Sequence, residues 1–406
     1  MAVAFVGQTF GIAPLLVYTF GVFAKPLAEA FRSNRGSIAL AVSLLDVVIA
    51  LGAPAVGWLV DRRGARGVIS GSIVALTACL VALAYARPPL WHLYALYVIA
   101  GLVGVASAPV TYGRVVANWF DRKRGLALGC ASAGIGFGAF ITPPLAQFLL
   151  DRGGLRSAYL GLAAAALLVA LPAVGFFLRG TPQEVGLQPD GVAAPSPSVP
   201  LARSVEGMTV SEAIRTRTFW QMCVIFFCVA ACVNGAIAHL VPLLTDHGIS
   251  GRTAALATSL FGLSSIVGRV ANGYLVDRFF APRVAAVLFA CAAAGVALLL
   301  GGGTGAGASV AAALLGLAVG AESDVIPFLI SRYFGMRAMA ELFGCAFAAY
   351  VLGNATGRYL FAVGFDAAGS YTLPLACAFG VLVLASTAML TLGRYRVGSA
   401  ETAAHE

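Results

Sequence analysis

The chain has 406 residues, 60% of them hydrophobic and 11% charged, with a mean hydropathy of +0.91, whereas soluble domains carry roughly a quarter charged residues. This excludes a soluble globular protein and points to an all-α integral membrane protein. The formal charge of +9 is spread over loops rather than gathered in one patch, which excludes nucleic acid as a partner.

The apolar runs are close to the ~20 residues that a helix needs to cross ~30 Å of hydrocarbon, and they are too long for the strands of a membrane barrel. Twelve helices are predicted. Helix 1, near residues 6–30, carries Tyr18; no Lys or Arg precedes Lys25, so the basic start of a signal peptide is missing and this run is kept as helix 1. Helix 2 (38–60) carries Asp46, helix 3 covers 67–86, and helix 4 (90–119) carries Tyr112 and Arg114. Helix 5 (124–150) contains Gly134-Ile-Gly136-Phe-Gly138, which is no nucleotide loop because it lies inside an apolar helix with no strand before it. Helix 6 is placed at 156–178.

Residues 180–218 then break the pattern with Pro182, Pro189, Pro195, Pro197 and Pro200, a linker composition. Within it, Thr209-Val-Ser-Glu212 has capping-box spacing and predicts a short surface helix. Helix 7 (219–246) carries His239, helix 8 (253–276) Arg269, helix 9 spans 284–302, helix 10 (306–331) carries Glu322 and Asp324, helix 11 (338–364) Tyr350 and Arg358, and helix 12 spans 370–393. The expected organisation is an N-terminal half over 1–179, a linker over 180–218, a C-terminal half over 219–393 and a tail over 394–406.

Sixteen loop Lys and Arg residues, including Arg62, Arg63, Arg66, Lys123, Arg278 and Arg332, fall on one side of these helices. Six fall on the other: Arg32, Arg35, Arg87, Arg152, Arg156 and Arg252. The basic side is therefore expected in the cytoplasm, with both termini. All eight cysteines lie inside apolar segments, where they read as small hydrophobes. Neither a disulfide framework nor a metal or other cofactor is implied.

The chain repeats itself. Gly57-Trp-Leu-Val-Asp61-Arg62 returns 216 residues downstream as Gly273-Tyr-Leu-Val-Asp277-Arg278, Lys25-Pro26-Leu27 answers Val241-Pro242-Leu243, and Gly129-Cys130 with Asp151 answers Gly344-Cys345 with Asp366. Many secondary transporters are built from such repeats, with the substrate site between them near the bilayer midplane. Small residues at four-residue spacing, such as Gly134 and Gly138 or Gly316 and Gly320, suit close helix contacts in lipid.

The paired Gly57–Arg62 and Gly273–Arg278 segments resemble the loop motif after helices 2 and 8 of the major facilitator superfamily, and the resemblance covers essentially the whole chain. It implies the superfamily's fold, twelve transmembrane helices in two pseudo-symmetric halves. In that loop Asp61 or Asp277 can cap a neighbouring helix or pair with a basic residue, holding one state of the transport cycle. Gly21-Val-Phe-Ala-Lys25-Pro26-Leu27, Trp119-Phe120 with Arg124-Gly125, Arg269-Val-Ala-Asn-Gly273 and Ser331-Arg-Tyr-Phe-Gly335 resemble the bacterial branch of the monocarboxylate and oxalate porter family. Two departures matter. The acidic-glycine motif and helix 1 lysine of animal members are missing, with Tyr18 at the lysine, and their helix 8 aspartate is Ser265. Coupling through that lysine and aspartate does not carry over.

Counting back from Asp277 places Arg269 ~12 Å inside helix 8, where a guanidinium costs at least ~3 kcal/mol and must face a cavity or a partner. Two readings follow: a carboxylate grip, for which its planar fork is suited, or a permanent ion pair. Tyr18, Tyr112, Tyr350 and Glu322 fall near the same depth. His239 is a second substrate contact by resemblance to lactate-type carriers, or a packing residue. Arg114 contacts substrate or snorkels to the surface. Glu322 and Asp324, two residues apart, point ~200° away from each other, so only one squarely faces Arg269. These two and Asp46 are the candidates for proton coupling, Asp46 with a structural bond as its other role.

The resemblance implies a bacterial inner-membrane carrier, monomeric, that moves a small organic monocarboxylate with protons by alternating access. Without substrate Glu322 or Asp324 neutralises Arg269; a substrate carboxylate then takes over the arginine and the released acid picks up a proton. Tyr350, at the helix 11 cation of oxalate-type relatives, favours one carboxylate over two. The alternatives are a dicarboxylate or formate-type exchanger and a proton-antiport exporter of lipophilic compounds. Against the latter, Tyr97 replaces the helix 4 arginine of drug antiporters, and Thr142-Pro-Pro-Leu-Ala replaces their helix 5 motif. An enzyme would need a nucleophile and base or a ligand cluster at mid-depth, and a sensor an output domain.

Overall fold

The structure, a computed structural model, describes residues 1–191, 207–246, 248–302 and 305–395. Linker residues 192–206, with Pro195, Pro197, Pro200 and Arg203, and residues 396–406 of the tail lie outside the described residues. The chain divides into two compact units, Met1–Asp121 with Cys130–Ala202, and Arg122–Gly129 with Arg203–Glu406.

Twelve membrane-crossing helices account for nearly all the described residues. The first unit holds α1 (Ala2–Tyr18, continued as Phe20–Ala30), α2 (Arg35–Arg63), α3 (Ala65–Ala84), α4 (Trp91–Trp119) and the two arms α5 and α6 of the stretch Arg124–Phe177. The second holds α7 (Arg217–Ala238, continued as Leu240–Asp246), α8 (Gly251–Arg278), α9 (Ala281–Leu300), α10 (Gly305–Phe334), α11 (Met339–Ala368) and α12 (Thr372–Leu390). The first residues of α5, through Gly129, group with the second unit.

The breaks have local causes. Arms α5 and α6 separate at Gly153 and Gly154, the latter at φ +68°, a left-handed backbone that glycine adopts without penalty. In α1 the arms bend by 43°, and the helix is already interrupted near Phe10 and Gly11, where the Ile12 N–H donates to the Ser107 hydroxyl at 3.0 Å. Ser107 itself lies in a break of α4, a 3-10 turn over Val105–Ser107 followed by extended Ala108 and by Pro109. Proline lacks an N–H, and hydroxyls take up the carbonyls left over: Ser107 donates to Gly104 O at 2.7 Å and Thr111 to Ala106 O at 2.7 Å. Helix α7 is interrupted at His239, three residues before Pro242.

Small residues set how closely the helices pack, since apolar surface gains little by leaving lipid. A Cβ on Gly134 would run into the backbone of Phe5, and one on Gly320 into the backbone of Ser265. The four-residue glycine spacings thus mark the α1–α5 and α8–α10 crossings.

Beyond residues 192–206, Gly207 pairs in one antiparallel bridge with Gly335, and the Met208 N–H donates to Phe334 O at 2.8 Å. The short helix Val210–Ala213 follows with its capping box closed: the Thr209 N–H donates to Glu212 at 2.7 Å and Thr209 Oγ1 accepts from the Glu212 N–H at 3.3 Å. The Thr209 N–H and hydroxyl hold the Glu212 carboxyl below the ordinary glutamate range.

Candidate functional site

The most concentrated buried polarity is on α8 and α10 of the second unit. With Gly320 against the α8 backbone at Ser265 and Arg269, and Gly316 against Phe261, the Arg269 side chain reaches one turn along α10. There Nη1 forms an ion pair with Asp324 Oδ1 at 3.1 Å and donates to Ser323 Oγ at 3.1 Å. Ser323 Oγ also donates to Asp324 Oδ1 at 3.1 Å, closing a three-residue cluster. Arg269 is 6% exposed and Asp324 4%.

Glu322 takes the other direction. It is wholly buried, neither carboxyl oxygen has a hydrogen-bond partner among the described residues, and it lies within electrostatic reach of Cys232 on α7 as well as of Arg269. The opposed directions of residues 322 and 324 follow from helical geometry. Asp324 is the acid that faces Arg269.

Two participants went unassigned in the sequence. Ser323 lies between the two acids and links Arg269 to Asp324. Asn272, three residues after Arg269 and so on the same face of α8, is buried with neither its oxygen nor its nitrogen hydrogen-bonded among the described residues. Its i+3 spacing from a mid-depth arginine was the available signal. A buried amide and a buried carboxyl without partners among the described residues are costly, and α8 and α10 each carry one of them near a residue of the ion pair in sequence. The cluster can hold an anion at the guanidinium, give hydrogen bonds from the amide and exchange a proton at Glu322.

His239 is also in the second unit, but its ring nitrogens are already engaged, Nδ1 with the Tyr371 hydroxyl at 3.2 Å and Nε2 with Arg358 O at 3.2 Å, and the ring stacks over Phe361. Tyr350, half-buried, stacks on Phe347 at 5.8 Å.

In the first unit, Tyr18 is exposed and Asp46 buried. Tyr112 is fully buried, its ring and hydroxyl lying where a side chain on Gly7 would be, and its hydroxyl has no hydrogen-bond partner among the described residues. Arg114 Nε pairs with Asp61 Oδ1 at 3.3 Å.

The repeated loop motif keeps one feature in both copies. Arg62 lies over the Trp58 ring at 4.4 Å and Arg278 over the Tyr274 ring at 4.3 Å, both at i, i+4. Asp61 pairs with Arg114, and Asp277 accepts from the Gly125 N–H at 2.7 Å and the Leu126 N–H at 2.8 Å, capping the start of α5. Gly57 and Gly273 are both buried, and a Cβ on Gly273 would meet the Gly125 carbonyl.

Comparison with known proteins agrees with this architecture. The sequence profile of the Major Facilitator Superfamily matches residues 9–358. Monocarboxylate transporter 13 of Bos taurus is 27% identical over 390 residues, covering 95% of this chain and 87% of its own length. The oxalate:formate antiporter of Oxalobacter formigenes is 26% identical over 288 residues, covering 69% of this chain and 64% of its own length. The crystal structure of the human organic anion transporter MFSD10 (TETRAN) superposes with a TM-score of 0.69 at 16% identity, covering 96% of this chain and 98% of that one, a likeness of fold. With its repeated loop motif, its helices and the profile match over most of its length, the chain belongs to the Major Facilitator Superfamily and is a multi-pass membrane transporter.

Proposed function

We propose that the protein carries a small organic monocarboxylate across the bacterial inner membrane by alternating access, coupled to protons, with Arg269 as the anion site. The observation that carries the reading is the Arg269–Asp324 pair at 3.1 Å beside a wholly buried Glu322 with no hydrogen-bond partner among the described residues. An incoming carboxylate competes with Asp324 for the guanidinium, whose fork matches either one. Glu322 holds the proton: an ionised carboxylate with no partner is far costlier to bury than a neutral acid. The similarity to a monocarboxylate transporter over nearly the whole chain supports the substrate class. The charge bias of the sequence supports a cytoplasmic side for both termini and the basic loops.

The test is uptake of labelled lactate into liposomes holding the purified protein under an inward proton gradient, wild type against Arg269→Gln. Gradient-driven uptake that vanishes in the variant is the expected result. Uptake unchanged in Arg269→Gln removes the arginine from the site, and absence of uptake in wild type for lactate and a panel of other monocarboxylates removes the substrate class.

One observation favours a second reading, anion exchange. A relative of similar identity is named an oxalate:formate antiporter. An exchanger would accumulate label only against a preloaded anion and would ignore the proton gradient.

A further inference from the structure

We propose that the first unit holds a site for an anionic phospholipid between α2, α3 and α4, with the acyl chain in an apolar groove and the phosphate on Arg63. The groove has a volume of about 550 Å³ and runs along Gly67, Val68 and Gly71 of α3, walled by Leu59 of α2 and Leu102 of α4, with Arg63 at its end. From Gly67 to Ala75, the span of its α3 wall, eight residues at ~1.5 Å each give ~12 Å. That is within one leaflet of a ~30 Å hydrocarbon core.

The groove is open. Gly67, Gly71 and Leu102 are exposed along it, and a Cβ built on Gly67 or Gly71 would meet nothing within 4 Å. Its polarity is confined to one end. The Ser72 hydroxyl in its wall is spent on Val103 O at 2.6 Å, and among the described residues no acidic one lines it.

Arg63 differs from its basic neighbours. Arg62 lies over the Trp58 ring, and Arg66 donates through Nε to Gly175 O at 2.9 Å and through Nη2 to the same carbonyl. Arg63 is exposed and makes no hydrogen bond or ion pair among the described residues, and the nearby Asp61 is taken by Arg114. A trough with one cationic end and apolar walls, opening on lipid at headgroup depth, is complementary to one acyl chain under an anionic head. A zwitterionic head would meet the same arginine with no net charge of its own.

The experiment uses the full-length protein in nanodiscs of phosphatidylcholine alone or mixed equally with phosphatidylglycerol, re-extracted into detergent, with the retained lipid quantified by mass spectrometry. Wild type should retain phosphatidylglycerol over phosphatidylcholine by roughly fivefold, the factor contributed by one basic residue near the surface. Arg63→Gln should remove the preference and Arg63→Lys keep it. Gly71→Leu, or Gly67→Leu if the first misfolds, should lower retention of both lipids by filling the groove, with the unfolding temperature in lipid-free detergent unchanged. Equal retention of the two lipids by wild type overturns the proposal. So does a preference that survives Arg63→Gln, or one that is lost with Arg63→Gln but untouched by both leucine variants, because the last is surface charge without a groove.

Discussion

Arg269 on α8 and Asp324 on α10 form a 3.1 Å ion pair in the interior of the second unit, with Ser323 hydrogen-bonded to both. A pair of this kind separates stability from function. Removing one partner of a buried pair costs about 3–5 kcal/mol, because the other charge is left behind, whereas replacing both by apolar residues of similar volume is about neutral or stabilising. Asp324→Leu should therefore lower the unfolding temperature in detergent sharply, and Arg269→Met with Asp324→Leu should restore it while substrate uptake stays absent. A double variant no more stable than Asp324→Leu alone would show that the pair is not the source of the loss.

Glu322 carries the opposite expectation. With no hydrogen bond among the described residues to lose, Glu322→Gln should leave the unfolding temperature close to wild type, while abolishing accumulation driven by a pH gradient and sparing exchange of labelled for unlabelled substrate. Asp324→Asn should impair both modes, since it disturbs the arginine itself. Gradient-driven accumulation persisting in both Glu322→Gln and Asp324→Asn would end the proton-coupling scheme.

How far these roles were legible in the sequence differs from residue to residue. The duplicated Gly57–Arg62 and Gly273–Arg278 segments revealed a fold of two repeated halves, because a repeat needs no structure to be seen. The i, i+2 spacing established that Glu322 and Asp324 diverge, but the choice between them depends on the register of α8 against α10, which the Gly320 contact at Ser265 and Arg269 fixes. His239 read either as a substrate contact by resemblance or as a packing residue; its bonds go to Tyr371 and to Arg358 O, 132 and 119 residues away, which no local pattern reports. The interruption of α4 at Val105–Ala108 was missed because Val, Ala and Ser carry no strong breaking signal, although Pro109 did.

Because its ring nitrogens are both engaged, His239→Ala should act on stability, by about 1–3 kcal/mol for the buried groups left without partners. The apparent KM for the carried anion should stay unchanged. A raised KM at unchanged unfolding temperature would restore the substrate role.

The glycine contacts predict a contrast between two alanines. Gly320→Ala places a methyl group against the Ser265 carbonyl and the Arg269 backbone, and neither helix backbone can yield without moving the crossing. Gly21 has open space around its Cα, and alanine there gains roughly 0.5–1 kcal/mol of helix propensity. Thermal unfolding should fall for Gly320→Ala and hold or rise for Gly21→Ala; equal behaviour would mean that the α8–α10 approach is looser than the backbone distances imply.

Each motif aspartate can be tested through a partner that the structure shows. Asp277 accepts from the Gly125 and Leu126 N–H groups at the start of α5, and losing a helix cap costs about 0.5–2 kcal/mol. Hydrogen exchange should therefore speed up at the first amides of α5 in Asp277→Ala, and Asp277→Asn, which keeps an acceptor oxygen, should recover part of the protection. Asp61 pairs with Arg114, so Asp61→Ala removes that ion pair from a largely buried arginine. Its penalty should be relieved by Arg114→Gln in the same chain, with the α5 amides undisturbed. If Arg114→Gln rescued Asp277→Ala equally well, the two aspartates would be acting through one shared network.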